Sequence, residues 1–553
     1  MILKLAEAAY SVEIAICFAL ALFLSTALVP VAIRYAPALG LVDLPDGDRK
    51  IHLNPIPRCG GLAIITAVLC SVLFWLDDLS QFYNLFIGSL TIALFGFLDD
   101  RYDLNYKWKF LGQIIAVGIF LMGSVEVTKT PFLGLGNSAP ILSYAVMSLF
   151  ILGVTNAVNL TDGLDGLAAG SSLLGLGFIA YLSVLAGDFS ITLIVAAVVG
   201  SILGFLRFNT HPANVFMGDA GSQFLGFLAA CLAILVTQSE ASAVSPSLAV
   251  LIVGMPILDT LMVMTLRMKE GRSPFYPDRR HIHHQLLDLG LAHYHAVGVL
   301  YLLNFSLLFI AYTFRFESDA IVLTSYVIFS MATLTAIKLL SGSELLRQRR
   351  LLNAKRDRRN GLLRKASWVY EYGPVALQYA LGVTWLALLF SIGPQDTSLG
   401  IISLTAIILI LVTFRYQDTY RLIPRAILYL ASILSVFTGV YQTMALSVNV
   451  GFEILWVDFF LLMLVIMLSL SIRMTRKELF HLDTQDILVL LVLLAASFLV
   501  VSFDGNSLLL NAAIRVSVML YAAEFIINRC EKVVVSKVFS FAVFFIIGVK
   551  SFF

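Results

Sequence analysis

Apolar runs long enough to cross a bilayer recur along the whole chain and limit what it can fold into. A run of about 17–25 mostly apolar residues has the length of one transmembrane helix. The chain has 553 residues, of which 59% are hydrophobic and 13% charged. Soluble proteins carry roughly twice that charged fraction. We therefore predict an all-α fold, a polytopic transmembrane helical bundle with about eleven helices in a catalytic part and about seven further C-terminal helices.

The apolar runs also suggest how the chain is divided. We predict a membrane domain over residues 1–340, a basic cytoplasmic linker over 341–372 and an additional transmembrane region of unknown role over 373–553. The runs lie near residues 13–35, 60–76, 83–98, 109–124, 140–158, 166–184, 189–207, 223–238, 246–266, 296–314 and 320–340, and then near 373–391, 399–414, 426–444, 454–472, 486–502, 508–526 and 538–553.

Lysine and arginine collect in every second loop, which predicts the orientation of the chain. Loops rich in these residues remain in the cytoplasm, so the N-terminus is expected outside. The conspicuous polar motifs all fall in the cytoplasmic set. The net charge is +2 and the basic residues are clustered, which gives no indication of a nucleic-acid partner. The five cysteines show no CxxC pairing, which argues against a disulfide framework.

A polar stretch over residues 155–167 interrupts the apolar sequence. Asn156, Asn159 and Asp162 recur at helical spacing and share one face if they end a helix. Gly163 and Gly166 would let the backbone approach a ligand closely. An ordinary polar loop between two spans is the alternative. Carboxylates this close to lipid-facing sequence are costly, which favours a polar cavity.

Four further acids stand at or near predicted helix ends. Asp99 and Asp100, with Asp103 one turn later, form a carboxylate cluster that needs a cation or a shared proton. Mg²⁺ takes such oxygen ligands together with substrate phosphates. Asp219 lies between Gly218 and Gly221, where it could be a metal ligand or only a helix N-cap. An interfacial helix end is the alternative for Asp99 and Asp100.

Basic residues complete the candidate cavity. His281, His283 and His284 follow two arginines and predict an anion-binding cluster. Zinc is a competing interpretation of these histidines, although thiol partners are absent and the acids favour magnesium; a solvated basic loop is another. A Pro- and Gly-rich first loop would deliver Lys50 and Arg58.

Acids for a metal and bases for phosphates together indicate phosphoryl transfer at a membrane surface, where a protein mainly positions and neutralises its substrates. A Mg²⁺-dependent membrane prenyltransferase is an alternative, but it predicts two aspartate-rich segments and no histidine loop. A transporter is a second alternative, mainly for the C-terminal half. Its charged residues should lie in mid-span rather than at one face.

The motifs resemble those of the polyprenyl-phosphate N-acetylhexosamine-1-phosphate transferases of glycosyltransferase family 4, the group that includes WecA, TagO and MraY, and the WecA-like branch in particular. The resemblance covers about residues 1–340 and leaves 373–553 uncovered. The matching motifs are Gly40-Leu41-Val42-Asp43-x-Pro45, Pro55-Ile56-Pro57-Arg58-x-Gly60-Gly61, Leu98-Asp99-Asp100-x-x-Asp103, Asn156-x-x-Asn159-x-x-Asp162-Gly163-Leu164-Asp165-Gly166, Phe216-Met217-Gly218-Asp219-x-Gly221-Ser222 and His281-Ile282-His283-His284.

The resemblance implies an enzyme of the bacterial plasma membrane, with its active site on the cytoplasmic face. It would transfer N-acetylhexosamine 1-phosphate, by default GlcNAc 1-phosphate, from a UDP-sugar to undecaprenyl phosphate and release UMP. That reaction initiates synthesis of a cell-envelope polysaccharide such as O-antigen or teichoic acid. Mg²⁺ is the implied cofactor, with Mn²⁺ as a substitute. Membrane lipid is a further expected partner, and a homodimer is left open.

The resemblance also implies roles for single residues. Asp219 would be the principal Mg²⁺ ligand, and Asp99 and Asp100 would lie at the lipid phosphate and the metal, one of them deprotonating the nucleophile. The predicted substrate-binding residues, around nucleotide, phosphates and sugar, are Lys50, Arg58, Lys107, Asn156, Asn159, Asp162, His281, His283 and His284.

Overall fold

A computed structural model of the protein describes six long segments of the first 341 residues and a helix near the end of the chain. The described ranges are 2–43, 55–76, 80–123, 140–238, 243–273, 280–341 and 534–552, with shorter pieces between 376 and 523.

Nearly all of the described residues are helical, and eight of the described helices are long and apolar enough to cross a membrane. The predicted all-α polytopic membrane fold is therefore confirmed. The helices are α1 Ile2–Leu39, α2 Gly60–Trp75, α3 Tyr83–Tyr102, α4 Tyr106–Leu121, α5 Pro140–Thr161, α6 Leu167–Leu185, α7 Phe189–Asn209, α8 Gly218–Gln238, α9 Leu248–Ile252, α10 Gly254–Lys269, α11 Ile282–Asp288, α12 His293–Thr313, α13 Asp319–Ser341 and α14 Val534–Phe552.

Each of the eleven apolar runs predicted before residue 341 coincides with helix, with two informative differences. The run over 246–266 is two helices, because the chain breaks at Val253 between α9 and α10. Helices α3 and α8 extend beyond their apolar runs and include Asp99, Asp100 and Asp219. The candidate acids thus lie in helical turns rather than in loops.

In the C-terminal part, α14 matches the predicted run over 538–553, and residues 376–386 are helical within the run over 373–391. Most of the other predicted runs there, and nearly all of the basic linker, lie outside the described residues. Contacts divide the chain into two compact units: 28–359 with 483–491, and 1–27 with 360–482 and 492–553. The candidate site lies in the first of these units, and the domain boundaries from the sequence stay predictions.

Helix α8 is the centre of the unit that holds the candidate site. Nearly all of its residues are buried, and it packs against α2, α3, α5 and α6. Small residues permit this close packing. A Cβ at Gly96 of α3 would lie 2.6 Å from the Cα of Ala220, and one at Gly226 would lie 2.9 Å from the Cα of Thr155 in α5. The first half of α8 therefore lies close to the backbones of both α3 and α5.

A small antiparallel hairpin fixes the first loop to the same place. Strand β1 (Val42–Asp43) pairs with β2 (Ile56–Pro57). The carbonyl of Pro57 accepts a hydrogen bond from the N–H of Phe216 at 2.8 Å, and Gly60 N–H donates to the Phe216 carbonyl at 3.0 Å. The ends of the first loop are thereby joined to the segment that leads into α8.

Candidate active site

The first turn of α8 is capped by a carboxylate from another helix. Asp100 of α3 accepts the backbone N–H of Asp219 at 2.9 Å with one oxygen and the N–H of Ala220 at 3.0 Å with the other. The N-terminal N–H groups of a helix have no partner within it, and the helix dipole favours an anion there. Gly218 has φ 75°, and a Cβ there would lie 2.6 Å from Asp100 Oδ2. Asp100 thus ties α3 to the backbone of the turn that carries Asp219.

Lys109 of α4 joins two of the candidate carboxylates. Its ammonium forms an ion pair with Asp99 and lies 3.2 Å from Asp219 Oδ2. The second oxygen of Asp99 accepts the Leu104 N–H at 2.8 Å. Asp99 is buried, whereas the Asp219 side chain is 28% exposed. A single cation therefore offsets the repulsion between two acids, and Asp219 is the more accessible of the two.

Asp162 adds a fourth acid, directly after the end of α5. Burial, followed by the negative charges of Asp219 and Asp165, raises its pKa to about 7, and the positive charge of Arg58 opposes this shift. Arg58 also forms an ion pair with Asp43 across the hairpin. Near neutral pH the Asp162 carboxyl can therefore gain or lose its proton when a charge binds beside it.

Amide side chains connect the helices around this acid cluster. Ser222 of α8 donates its hydroxyl to Asn159 Oδ1 at 2.5 Å. Gln113 of α4 exchanges hydrogen bonds of 2.8 and 3.1 Å with Asn156, and it also donates to Gln223 of α8 at 3.1 Å. Asn159 is thus placed beside the first turns of α8, and Gln113 joins α4 to Asn156 of α5 and to Gln223 of α8.

The predicted histidine cluster occupies the start of a short helix, α11. The Asp259 carboxylate of α10 lies 2.9 Å from His281 Nδ1 and accepts the Ile282 N–H at 2.6 Å. The rings of His281 and His283 stack with 5.6 Å between centroids, and His284 lies 4.2 Å from His283. Burial lowers the pKa of His283 to about 3, so this ring is neutral at physiological pH.

Gly163 allows His283 to lie close to the turn that carries Asp162. A Cβ at Gly163 would lie 2.6 Å from His283 Nε2, which leaves room for glycine alone beside that ring. Since Asp162 precedes Gly163, the turn after α5 faces the acid cluster on one side and α11 on the other.

A second histidine group was not singled out from the sequence. His211 Nδ1 lies 2.6 Å from Asp165 Oδ2, and His293 Nε2 accepts the Asp165 N–H at 3.2 Å. The two imidazole rings stack with 4.0 Å between centroids. Asp165, His211 and His293 also have possible metal-ligand atoms that lie within 4.8 Å of one another, the one such group of three among the residues that the structure describes. Asp165 bonds to both histidines, so the arrangement is also explained by a structural role in which the two histidines hold the turn after α5 in place.

The sequence of this site region matches a known family. The glycosyl transferase family 4 profile covers residues 82–237, which carry α3 to α8. A Bacillus subtilis protein named "Probable undecaprenyl-phosphate N-acetylglucosaminyl 1-phosphate transferase" is 36% identical over 321 residues, which are 58% of this chain and 89% of the relative. The chain belongs to glycosyl transferase family 4.

Relatives in other bacteria agree with this family assignment. The Yersinia pestis "undecaprenyl-phosphate alpha-N-acetylglucosaminyl 1-phosphate transferase" is 32% identical over 48% of this chain and 74% of its own length. The Mycobacterium tuberculosis H37Rv "decaprenyl-phosphate N-acetylglucosaminephosphotransferase" is 34% identical over the same shares. The resemblance predicted from the motifs is therefore confirmed.

The structure gathers most, but not all, of the predicted residues of this family 4 site. Asp99, Asp100 and Asp219 meet at the start of α8. Around them lie Arg58, Asn156, Asn159 and Asp162, and the three predicted histidines lie at the start of α11. Lys107 is exposed in the first turn of α4, and Lys50 lies outside the described residues. The position that joins the acids belongs instead to Lys109, the first residue of the apolar run predicted over 109–124.

Asp259 was also missed, although the sequence carried a signal. It is an acid inside the predicted span over 246–266, and an ionisable residue in such a segment usually has a function or a named partner. The structure supplies that partner in His281.

Proposed function

We propose that the protein transfers N-acetylhexosamine 1-phosphate from a UDP-sugar to undecaprenyl phosphate, giving undecaprenyl-diphospho-sugar and UMP. The observation that carries the proposal is the Asp99–Lys109–Asp219 group at the first turn of α8 in a member of glycosyl transferase family 4. The names of the relatives supply the substrates: each is named for a polyprenyl phosphate acceptor and a GlcNAc phosphate group.

In the proposed reaction an oxygen of the lipid phosphate attacks the phosphorus that carries the sugar. The new P–O bond forms as the bond to the bridging oxygen of the UMP phosphate breaks, and UMP leaves with that electron pair. Two polyanions must be held together, so positioning and charge neutralisation supply most of the catalysis. Lys109 and Arg58 are the cations beside the acids for this task.

A carboxylate base would be needed only for the last proton of the lipid phosphate. Both oxygens of Asp100 accept backbone N–H groups of α8, which gives it the geometry of an anchor. One oxygen of Asp99 also accepts a backbone N–H, but the other is paired with the Lys109 side chain that it shares with Asp219, and we therefore assign the basic role to Asp99 rather than to Asp100.

The donor set fits Mg²⁺, with Mn²⁺ as a substitute. Asp99, Asp162 and Asp219 offer only carboxylate oxygens, the ligands that this hard cation prefers, and Asp219 is accessible. The acids outnumber the nearby cations Lys109 and Arg58, so the group retains negative charge that an ion would balance. When bound there, the ion would draw negative charge from the diphosphate.

We further propose GlcNAc as the sugar and the cytoplasmic face of the bacterial plasma membrane as the location. The polarity of the basic loops supports that face, and the relatives' names support GlcNAc. The product would begin a cell-envelope polysaccharide. A panel of UDP-sugars including UDP-GlcNAc, UDP-GalNAc, UDP-QuiNAc and UDP-FucNAc tests the sugar by comparing kcat/KM.

The decisive experiment uses the full-length protein in detergent with Mg²⁺, UDP-GlcNAc and undecaprenyl phosphate. UMP and the lipid diphosphate sugar are measured together. We expect both products from the wild type and neither above background from Asp219→Asn or Asp99→Asn. Release of UMP at the wild-type rate by both variants would overturn the proposed mechanism.

Asp188→Asn is the matched control. Asp188 caps α7 by accepting the Ile191 N–H at 2.9 Å, and asparagine is an equally good cap. Asp162 precedes α6 and Asp188 follows it. Since α6 has 19 residues, the two acids are separated by about 28 Å of helix. The same chemical change at that place should leave turnover unchanged. A loss there equal to that of Asp219→Asn would show that the assay reports folding instead.

A further inference from the structure

Asp259 is a buried acid that none of the roles above uses. It lies on α10 with 7% of its surface exposed, and His281 beside it is 5% exposed. A buried carboxylate must be paired and hydrogen-bonded, because desolvation otherwise makes its charge very costly. Both requirements are met by two consecutive residues: Oδ2 lies 2.9 Å from His281 Nδ1, and Oδ1 accepts the Ile282 N–H at 2.6 Å.

The pair fixes the protonation pattern of the imidazole. An ionised carboxylate can only accept hydrogen bonds, so the proton between the two groups must belong to Nδ1 of His281. Nε2 is then the ring nitrogen left to act on a substrate. The bond to Ile282 N–H fixes the backbone at the same point, and His281 precedes the first turn of α11. One carboxylate thus controls both the ring's tautomer and the entry into the histidine helix.

We propose that Asp259 is a positioning residue for the transfer reaction, acting through His281: it holds the imidazole as the Nδ1–H tautomer and in one orientation beside His283. This inference rests on the proposed function, because it assigns His281 a part in that reaction. Asp259 itself touches no reacting atom in this role.

The arrangement of α11 explains why orientation matters here. His281 stacks at 10° on His283, and the space between His283 and Gly163 leaves no room for a Cβ. A rotated His281 ring would disturb the ring stacked on it and the turn that carries Asp162. Positioning therefore extends from α10 through two rings to the acid side of the site.

Asp259→Asn in the full-length enzyme is the first test. The amide oxygen can still accept the Ile282 N–H, but an NH₂ group then faces Nδ1 and favours the Nε2–H tautomer. We expect kcat to fall about 10²-fold, the size of a lost acid–base contribution, with KM for UDP-GlcNAc changed less than about threefold. Asp288→Asn, an exposed acid near the other end of α11, is the control and should keep wild-type kcat.

A double-mutant cycle separates positioning from general destabilisation. If Asp259 acts through His281, adding Asp259→Asn to His281→Gln should lower kcat less than about twofold further, since coupled residues are not additive. Multiplication of the two single losses would overturn the proposal. So would wild-type kcat in Asp259→Asn.

Nitrogen NMR of protein labelled with ¹⁵N-histidine tests the pair without any substrate. The chain has eight histidines, and the spectrum of His281→Gln identifies the signal of His281. We expect an Nδ1–H signal in the wild type and a shift toward Nε2–H in Asp259→Asn. An Nε2–H signal in the wild type would overturn the proposal. If the wild type makes no UMP but shows the Nδ1–H signal, the proposed function fails while the pairing stands.

Discussion

At the start of α8 and at the start of α11, a carboxylate from another helix accepts backbone N–H groups. The two carboxylates differ in what else they hold. At α8, both oxygens of Asp100 accept backbone N–H groups of a long membrane helix. At α11, Asp259 gives one oxygen to a backbone N–H and the other to the ring of His281. The first carboxylate fixes a helix whose own Asp219 faces the ligand. The second fixes a side chain directly. Helix α8 is the anchored scaffold of the site, and α11 begins at a ring that Asp259 holds in place.

Charge distinguishes the two places as well. The α8 end gathers Asp99, Asp100 and Asp219 around Lys109, whereas Asp259 is paired with a histidine whose neighbour His283 is neutral, since burial lowers its pKa to about 3. The comparison therefore assigns charge neutralisation to the α8 end and the positioning of the histidine rings to the α11 end.

The largest expected effect tests that assignment. Lys109→Gln removes the cation between Asp99 and Asp219 and leaves their repulsion uncompensated, so we expect kcat/KM to fall about 10³-fold. UMP release at varied UDP-GlcNAc measures it. Lys107→Gln removes a cation from the same turn of α4, but an exposed one, and should cost less than about fivefold. Equal losses of kcat/KM in the two variants would contradict this assignment and would support Lys107 as the substrate-binding residue predicted from the sequence.

Asp100→Asn asks whether the cap of α8 is an anchor or a base. Asparagine keeps one acceptor oxygen and loses the other, so one N–H of the first turn loses its partner. We expect a stability loss of about 1–2 kcal/mol in thermal unfolding. Activity should fall about tenfold, because the chemistry is assigned to neighbouring groups. Abolished turnover with an unchanged Tm would instead make Asp100 a reacting group.

The contact of α2 with the start of α8 should also tolerate less change in packing than the exposed side of α5. A Cβ at Gly61 would lie 2.8 Å from the Met217 carbonyl and against the Cα of Gly221. Gly61→Ala should therefore lower stability by about 1–3 kcal/mol in thermal unfolding. A Cβ at Gly153 of α5 would meet nothing within 4 Å among the described residues, so Gly153→Ala is the matched control. It should be neutral or stabilising, since alanine favours a helix by about 1 kcal/mol.

The smallest expected effect concerns Asp162, which lies between the two places. Its pKa is raised by burial and by Asp219 and Asp165 to about 7, above its value of 3.8 in an unfolded chain. The folded state therefore holds this proton more tightly, and stability falls as pH rises from about 4 to about 7. In Mg²⁺-free buffer, Asp162→Asn should lose less Tm between pH 5 and pH 8 than the wild type, by about 2–4 °C. Parallel Tm curves would remove Asp162 from the acid cluster.

The sequence predicted the fold well because a bilayer imposes strong and simple rules. Backbone groups in lipid must be satisfied within the segment, so a long apolar run is almost always a helix. Helix ends were less predictable. The polar first turn of α8 and last turn of α3 form helix because a partner satisfies them, and Asp100 is such a partner only once the two helices have packed.

The sequence predicted most residues of the site but not which of them contact one another. The motifs identified Asp99, Asp219 and Asn159, which the structure brings together at α8. They could not show that Lys109 rather than Lys107 joins the acids, since that depends on how α4 is rotated against α3. Nor could they pair Asp259 of α10 with His281, which lies 22 residues later and just before α11.

The polar ends of α3 and α8 have a consequence for the membrane itself. Asp99 lies in the last turn of α3 and Asp219 at the first turn of α8, so the length of these helices sets the depth of the carboxylates. Helices answer a mismatch with bilayer thickness by tilting. A tilt of α3 against α8 would strain the two hydrogen bonds that Asp100 accepts from the backbone of α8, and it would widen the gap between Asp99 and Asp219 that Lys109 spans. The acyl-chain length of the surrounding lipid is thereby a physical variable of the active site, alongside pH and metal.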